Sequence, residues 1–140
     1  MADASSRDVV SVILVNYKGA DDTIACLGAF AEIDWPAERL ELIVVDNASG
    51  DGSAQRIRDA APKATVIESP VNSGFAGGCN LGVRHARGEY VAFINNDARP
   101  HANWIRAAFD VLDSDRSVGC VASKVLDWEG THVDYVDGSL

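Results

Sequence analysis

Two runs of β-branched residues, each ending in a polar side chain, restrict the possible folds of this chain more than any other feature. The first run, VVSVILV, covers residues 9–15 and is followed by Asn16, and the second, LELIVVD, covers residues 40–46. Near-continuous apolar runs of this length are typical of strands that are buried on both faces of a parallel sheet. Parallel strands need long crossover connections, which are usually helices, so the two runs predict a sheet covered by helices.

The remainder of the chain alternates in the way that such a sheet requires. Asp21 or Asp22 is expected to cap a first helix, which ends before Pro36. The further predicted elements are a helix at 53–61, a strand at 65–69, a glycine-rich loop leading into a helix at 78–86, a strand at 90–94, a helix at 102–112 and a strand in VGCVAS at 118–123. This alternation predicts a three-layer α/β/α sandwich with a mostly parallel sheet.

The charge balance argues against partners that are recognised by a positive surface. Lys and Arg total 12 against 21 Asp and Glu, which gives a formal net charge of -9. A chain this acidic is not expected to bind nucleic acid or an anionic membrane non-specifically. An anionic ligand would therefore have to be held by local features of a binding site.

The chain is predicted to be one domain at residues 9–140, preceded by a flexible N-terminus at residues 1–8. The first residues carry no basic stretch followed by an apolar one, and the longest aliphatic run is VILV, so no transmembrane segment is predicted. Cys26, Cys79 and Cys120 lie far apart and are predicted to be buried or semi-buried free thiols. These features together predict a cytoplasmic protein.

Polar side chains follow three of the predicted strands directly. Asn16 and Tyr17 follow the first strand, Asp46 and Asn47 end the second, and residues 95–97 (Asn-Asn-Asp) follow the strand that begins at residue 90. In an open parallel sheet, ligands bind beyond the carboxyl ends of the strands. The convergence predicts a ligand with several polar parts, although each cluster alone could also be a strand end, a turn or a helix cap.

Four glycines lie close together in NSGFAGGCNLG. They are Gly74, Gly77, Gly78 and Gly82. An interior glycine costs a helix about 1 kcal/mol relative to alanine, so the backbone is expected to approach something closely there. Two interpretations remain open, namely an anion at the helix N-terminus and a close contact between the helix and the sheet.

Three other classes of α/β protein have motifs that this sequence lacks or matches only in part. A dinucleotide-binding fold needs G-x-G-x-x-G after its first strand, whereas NYKGAD has a single glycine there. A P-loop kinase needs GxxxxGK[ST], which the chain does not contain. A receiver-like signalling domain is a remote alternative, because Asn16 and Tyr17 replace the acidic pair that it needs at the end of the first strand.

Four motifs taken together resemble a known family. They are VSVILVNYKG, LELIVVDNASGDGS, NSGFAGGCNLGVRHARGEYVAFINNDARP and VGCVASKVLDWEGTHVDY. In order and spacing, over about residues 9–135, they resemble the nucleotide-sugar half of family 2 glycosyltransferases with a GT-A fold. The nearest likeness is to rhamnosyltransferase-like and galactofuranosyltransferase-like members. The resemblance implies inverting, metal-assisted transfer of a sugar from a nucleoside diphosphate to an acceptor hydroxyl, in cell-surface (cell-wall) polysaccharide synthesis.

The resemblance also implies roles for individual residues. INNDA stands in the place of the family's D-x-D motif, so Asp97 would bind the divalent metal, Mg²⁺ or Mn²⁺, with the substrate phosphates supplying further ligands. Tyr17 would pack on the nucleobase. The residues expected to line the nucleotide-sugar site are Asn16, Tyr17, Asp46, Asn47, Gly74, Gly78, Asn80, Asn95 and Asn96.

The implied partners are a UDP- or dTDP-linked sugar and a glycan or glycolipid acceptor. Peripheral association with the inner face of the membrane is compatible with these partners. No catalytic base is assigned, because the family's base belongs to an acceptor-binding half that these motifs do not cover, and the chain is expected to be C-terminally truncated. A non-catalytic nucleotide-binding module left by truncation is the alternative. Trp35, Trp104 and Trp128 are interpreted as residues that pack in the core or at the rim.

Overall fold

The main sheet has four parallel strands. The computed structural model describes residues 8–135, so the predicted flexible N-terminus lies outside the described residues except for Asp8. The strands are β1 (Val10–Asn16), β2 (Leu40–Asp46), β3 (Thr65–Glu68) and β4 (Tyr90–Phe93). Their order is β3-β2-β1-β4, so the topological switch point, where the strand order reverses, lies between β1 and β4.

Four helices connect and follow these strands. They are α1 (Ala20–Ala29), α2 (Ser53–Ala60), α3 (Gly74–His85) and α4 (Trp104–Ser114), with short 3-10 turns at Phe30–Glu32 and Ala37–Arg39. A separate antiparallel pair follows, made of β5 (Val125–Leu126) and β6 (Val133–Tyr135). Within residues 8–135, none of the helices combines the length and apolarity needed to cross a membrane.

The main core lies on one face of the sheet. Val12 and Leu14 of β1 are fully buried there. They belong to one apolar cluster that also includes Leu27 of α1, Ile57 of α2 and Ile105 of α4. Because side chains alternate along a strand, the residues between them face the opposite side of the sheet, where α3 lies. The predicted three-layer α/β/α architecture is confirmed.

Helix α3 packs directly on β1 through two glycines. A Cβ atom on Gly78 would lie 2.8 Å from a methyl group of Val15, and one on Gly82 would lie 2.6 Å from a methyl group of Ile13. Real Cβ atoms do not approach this closely, so no larger residue fits at either position without a shift of the helix. Of the two interpretations of the glycine-rich segment, the close contact between helix and sheet therefore accounts for Gly78 and Gly82.

The predicted starts of α3 and α1 need correction. Helix α3 begins at Gly74, four residues earlier than predicted, because the Asn72 side chain accepts a hydrogen bond from the Gly74 N–H at 3.0 Å and the Asn47 side chain accepts one from Ser73 N–H at 3.1 Å. Gly74 itself has a φ of +73°, which favours glycine. Helix α1 follows Gly19 with no side-chain cap, so Asp21 and Asp22 lie in its first turn instead of capping it.

The predicted fifth strand does not form. Residues 118–124, which include VGCVAS, have no regular secondary structure, and the next strand belongs to the separate β5–β6 pair. Trp104 Nε1 donates a hydrogen bond to Ser123 Oγ at 2.7 Å, which holds this segment beside α4. Within the described part of the chain, β4 therefore pairs with β1 alone. Phe93 of β4 is 49% exposed.

A carboxylate fastens the α3–β4 connection at the opposite end of the strands. The Glu41 side chain is 9% exposed and accepts hydrogen bonds from Ser11 Oγ at 2.6 Å and from the Arg87 backbone at 2.9 Å and guanidinium at 2.7 Å. Burial raises the pKa of Glu41, but the hydrogen bonds from Ser11 and Arg87 outweigh it, so the pKa lies below its ordinary value of 4.5.

Replacing Gly82 with alanine tests the contact between α3 and β1. Gly82→Ala is expected to lower the free energy of unfolding by about 1 to 2 kcal/mol, because overpacking against Ile13 outweighs the better helix propensity of alanine. Urea unfolding would measure this change. Gly28→Ala is the matched control, since a Cβ there meets nothing within 4 Å, and it should stabilise the chain by up to ~1 kcal/mol. A Gly82→Ala variant as stable as the parent would contradict the close approach.

Candidate functional site

Asn16 at the end of β1 connects the carboxyl ends of the strands. Its side chain has no exposed surface. Its Nδ2 donates to Asp46 Oδ1 at 2.7 Å and to Ser49 Oγ at 3.3 Å, and its Oδ1 accepts from Thr23 Oγ1 at 2.8 Å. Asn16 therefore lies beneath the rim formed by the strand ends, and it links β2 and α1 through β1.

Asp46 closes the turn that follows β2. Its Oδ1 also accepts from Ser49 Oγ at 2.6 Å, and its Oδ2 accepts from the Ser49 N–H at 3.1 Å. Ser49 Oγ in turn accepts from the Lys18 N–H at 2.9 Å. Lys18 and Ala48 have φ values of 54° and 62°, a region that non-glycine residues rarely adopt. The bonds to Asp46 and Ser49 thus hold two strained turns side by side, a pattern associated with functional sites.

Asn47 attaches the start of α3 to the end of β2. Its Nδ2 donates to Gly74 O at 2.9 Å and to Asn72 Oδ1 at 3.0 Å, and its Oδ1 accepts from the Ser73 N–H. Both polar atoms of a buried amide are satisfied in this way. The N-terminus of α3 is therefore held at the same rim as the turn after β2.

Thr23 extends the network to the turn after β4. Thr23 is buried, and its Oγ1 accepts from Asn96 Nδ2 at 3.1 Å while it donates to Asn16. The Asn96 amide nitrogen also lies 3.0 Å from the place where a Cβ on Gly19 would be. The motif after β4 is thus fixed against the start of α1, and Asp97 follows it on the exposed rim.

The exposed predicted residues surround this buried network. The Tyr17 side chain is 49% exposed, with the Lys18 ammonium 5.3 Å from its ring centroid. Asn80 on α3, together with Asn95 and Asp97 beyond β4, is also exposed. The structure brings Asn16, Asp46 and Asn96 into one hydrogen-bonded network. Gly78 lies farther down α3 against Val15. Within residues 8–135, no side-chain hydrogen bond joins Asn80 to the network.

Asp97 is suited to a hard divalent cation, but only as one ligand among several. Within residues 8–135, no three His, Cys, Asp or Glu side chains are grouped so that they could hold a metal ion. Mg²⁺ commonly takes one or two protein carboxylates and completes its shell with substrate phosphates and water. The carboxylate of Asp97, exposed at the strand ends, fits that arrangement.

A buried thiol lies next to this carboxylate. Cys26 Sγ contacts Asn95 O at 3.8 Å, and burial together with the negative charge of Asp97 raises the pKa of Cys26 to about 12. Burial also raises the pKa of Cys79. Cys26 and Cys79 are buried as predicted, whereas Cys120 is exposed, which corrects the prediction for that residue.

Three residues of the network were not predicted from the sequence. Thr23 and Ser49 each join two strand ends, and Asn72 bridges Asn47 and Gly74. Asn72 belongs to the NSGFAGG motif, so the sequence did contain a signal for it. Thr23 gave a weaker signal, since it is a polar residue that shares the buried side of α1 with Cys26.

Comparisons with known proteins agree on one family. The family model described as Glycosyl transferase family 2 matches residues 11–135. Glycosyltransferase AglE of Haloferax volcanii is 27% identical over 134 residues, which are 94% of this chain and 41% of AglE. A poly(ribitol-phosphate) beta-glucosyltransferase of Bacillus spizizenii is 33% identical over 92 residues, which are 63% of this chain and 14% of the enzyme.

Solved structures give the same result. A mannosyltransferase from Pyrobaculum calidifontis, determined with GDP-Man and Mn²⁺, superposes with a TM-score of 0.73 at 34% identity, over 81% of this chain and 35% of that one. Staphylococcus aureus TarS 1-349 with UDP-GlcNAc superposes with a TM-score of 0.68 at 27% identity, over 76% of this chain and 31% of that one. The fold is the GT-A type expected from the motifs, and the chain spans well under half the length of these relatives.

Replacing Asn16 tests whether the buried network stabilises the strand ends. Asn16→Ala is expected to lower the free energy of unfolding by at least about 2 kcal/mol, because Asp46 loses a donor and Thr23 loses an acceptor inside the protein. Chemical denaturation measures the loss. Asn80→Ala, which changes an exposed amide on α3, should alter stability by no more than about 0.5 kcal/mol. Equal stabilities of the two variants would contradict the role given to Asn16.

Proposed function

Because this chain belongs to glycosyltransferase family 2, we propose that it forms the nucleotide-sugar-binding part of an inverting, metal-assisted glycosyltransferase. Family membership supports a transferase, and the arrangement of the rim supports the finer assignment. The observation that carries the proposal is the network from Asp46 through Asn16 and Thr23 to Asn96, which holds three strand ends around one surface.

The exposed and the buried residues have different roles in this proposal. Tyr17 packs on the nucleobase, because its ring is half exposed at the rim. Asn95 hydrogen-bonds hydroxyl groups of ribose or sugar, and Asp97 provides the metal ligand. Asn16, with no exposed surface, acts as a positioning residue. Fixing groups before the ligand arrives reduces the ordering that binding would otherwise require.

The segment around the start of α3 faces the diphosphate in this proposal. A helix N-terminus carries unpaired N–H groups and about half a positive charge, which favour an anion. Asn47 holds that terminus at the rim, and Gly74, which has no side chain of its own, adds no bulk there. A chain with a net charge of -9 needs such a local positive group, here the N-terminus of α3, in order to hold a polyanionic ligand.

The reaction is a single displacement at the anomeric carbon of the donor sugar. The acceptor oxygen forms a bond to that carbon as the bond to the diphosphate oxygen breaks, and the electron pair leaves with the nucleoside diphosphate. The acceptor proton passes to a general base, to which no residue of the described chain is assigned. When bound, Mg²⁺ or Mn²⁺ would offset the negative charge that grows on the diphosphate. Asp97 would hold the cation on the side of the strand ends.

The relatives indicate which nucleotide-sugar donors are worth testing. One structural relative is described with GDP-Man and another with UDP-GlcNAc, so guanine joins uracil and thymine as a candidate base. The names of two relatives refer to poly(ribitol-phosphate), which supports a glycan or glycolipid acceptor in cell-surface polysaccharide synthesis. We place the reaction in the cytoplasm, with peripheral association at the inner face of the membrane.

A second candidate function is a nucleotide-binding module that transfers nothing. Within residues 8–135, no side chain is assigned as the general base that transfer requires. Both candidates require nucleotide binding at the same rim. Sugar transfer, or hydrolysis of a nucleotide sugar, distinguishes the enzyme from the module.

Replacing Asp97 tests the metal-dependent site. We expect calorimetric titration to detect binding of at least one of UDP, dTDP and GDP in the presence of Mn²⁺, and much weaker binding when the metal is removed. Asp97→Ala should abolish the difference between the two conditions, because the cation loses its protein ligand.

The matched control is Asp110→Asn, which neutralises an exposed carboxylate on α4. It should bind nucleotide as the parent does. Metal-dependent binding that survives in Asp97→Ala would disprove the assignment of Asp97. If the parent bound none of the three nucleotides, both candidate functions would be excluded.

A further inference from the structure

A cavity of about 350 Å³ lies between α1 and the segment that follows β4. Asp97 and Arg99 line one side, α1 lines the other, and Trp128 from the turn between β5 and β6 reaches it as well. This volume falls within the range of small-molecule sites. The cavity shares Asp97 with the proposed metal site, so a ligand within it would lie beside the reacting end of the donor.

Carboxylates stand at both ends of this cavity. Asp22 lines it near the start of α1, Asp97 lines it from the segment after β4, and Glu32 lines it beyond the end of α1, where Arg99 lies 3.9 Å away. All four side chains are exposed. Carboxylate oxygens accept hydrogen bonds without donating any, so they suit a ligand that carries several hydroxyl donors. A free anionic ligand is disfavoured by the excess of acidic groups.

Trp128 presents an aromatic face to the solvent at the cavity. Its side chain is 81% exposed. The turn that carries it is well fixed, since Asp127 accepts hydrogen bonds from the Thr131 N–H at 2.8 Å and from the Gly130 N–H at 2.9 Å. This exposure excludes Trp128 from the core, which leaves the rim position of the two that the sequence suggested. A fixed, exposed indole next to hydroxyl-binding groups is suited to stacking on the apolar face of a sugar ring.

Gly28 gives an independent indication that the cavity takes a ligand. It is the second-last residue of α1, where glycine is still a poorer helix former than alanine. A Cβ atom there would meet nothing within 4 Å, and the backbone has no positive φ, so neither packing nor backbone geometry requires glycine. Gly28 lines the cavity, together with Ala25 and Ala29. Together these small residues form the floor of the cavity on its α1 side.

We propose that this cavity binds a pyranose ring of the acceptor, with Trp128 stacked on the ring and the carboxylates of Asp22, Asp97 and Glu32 accepting its hydroxyl hydrogens. This inference rests on the proposed function, because the acceptor role depends on a donor bound at Asp97. It adds an acceptor subsite within the nucleotide-binding part of the chain and makes Trp128 a specificity-determining residue. Trp128 sets the orientation of the ring, and Gly28 sets the room available to it.

The test uses saturation-transfer NMR on the chain in the presence of Mg²⁺ and whichever of UDP, dTDP and GDP binds. The probes are methyl α-mannopyranoside, methyl β-glucopyranoside and methyl β-galactopyranoside. The parent should bind at least one probe. Trp128→Ala should weaken that binding about tenfold or more, and Trp128→Phe should retain part of it, because phenylalanine still offers a ring face.

Two further variants separate a specific site from general effects. Gly28→Leu should reduce probe binding by filling the floor of the cavity, and it should remain folded because leucine is a good helix former. Phe93→Ala removes another exposed aromatic ring on the opposite side of the sheet and should leave probe binding unchanged. Nucleotide affinity should be the same in all four variants as in the parent.

Each of the other outcomes disproves either the cavity inference or the proposed function. Equal probe binding by the parent and Trp128→Ala, or no probe binding by a parent that binds nucleotide, disproves the cavity inference and leaves the proposed function intact. Absence of nucleotide binding in the parent disproves the proposed function and removes the acceptor role with it. Probe binding through Trp128 without nucleotide binding leaves a carbohydrate site that is not an acceptor subsite.

Discussion

The fully buried side chain of Asn16 is the constraint on which the rest of the candidate site depends. An amide can donate and accept at once, and Asn16 uses both capacities to join Asp46 on β2 to Thr23 on α1. In the described part of the chain, no buried side-chain nitrogen or oxygen is left without a partner. A complete polar network of this kind is worth more than its separate bonds, because each member fixes the orientation of the next. The rim is thus rigid before any ligand binds.

Close packing of α3 on β1 is the second feature that positions the candidate site. Gly78 and Gly82 let the helix lie against Val15 and Ile13, and Asn47 holds its N-terminus at the end of β2. At the other end of the strands, Glu41 fastens the return of the chain into β4. The fold therefore brings a helix N-terminus, an aromatic ring and a carboxylate to one edge of the sheet, which are the groups that a nucleotide sugar with its metal requires.

Sequence patterns predicted the three layers and the polar residues at the strand ends. They did not predict which of those polar residues are buried and which are exposed. β-branched runs predicted β1 and β2, and the polar residues at their ends belong to the buried network that the structure shows. The pattern could not distinguish Asn16, which is buried, from Tyr17, which is exposed, because burial at a strand end depends on partners such as Thr23 that are distant in sequence. VGCVAS has strand propensity, but no strand within residues 8–135 pairs with it, and propensity without a partner does not make a strand. The sequence likewise left open whether Trp128 lies in the core or at the rim, because its exposure depends on the tertiary structure.

The central claim is that ligand binds at the carboxyl ends of the strands, on the rim held by Asn16. Backbone amide chemical shifts, recorded while the parent is titrated with a nucleoside diphosphate and Mg²⁺, test it directly. We expect the largest changes at residues 16–19, 47–50, 73–78 and 95–98, and none at the opposite end of the sheet around Ser11, Glu41 and Arg87. Changes concentrated at that opposite end, or saturable binding without changes at the rim, would contradict the account.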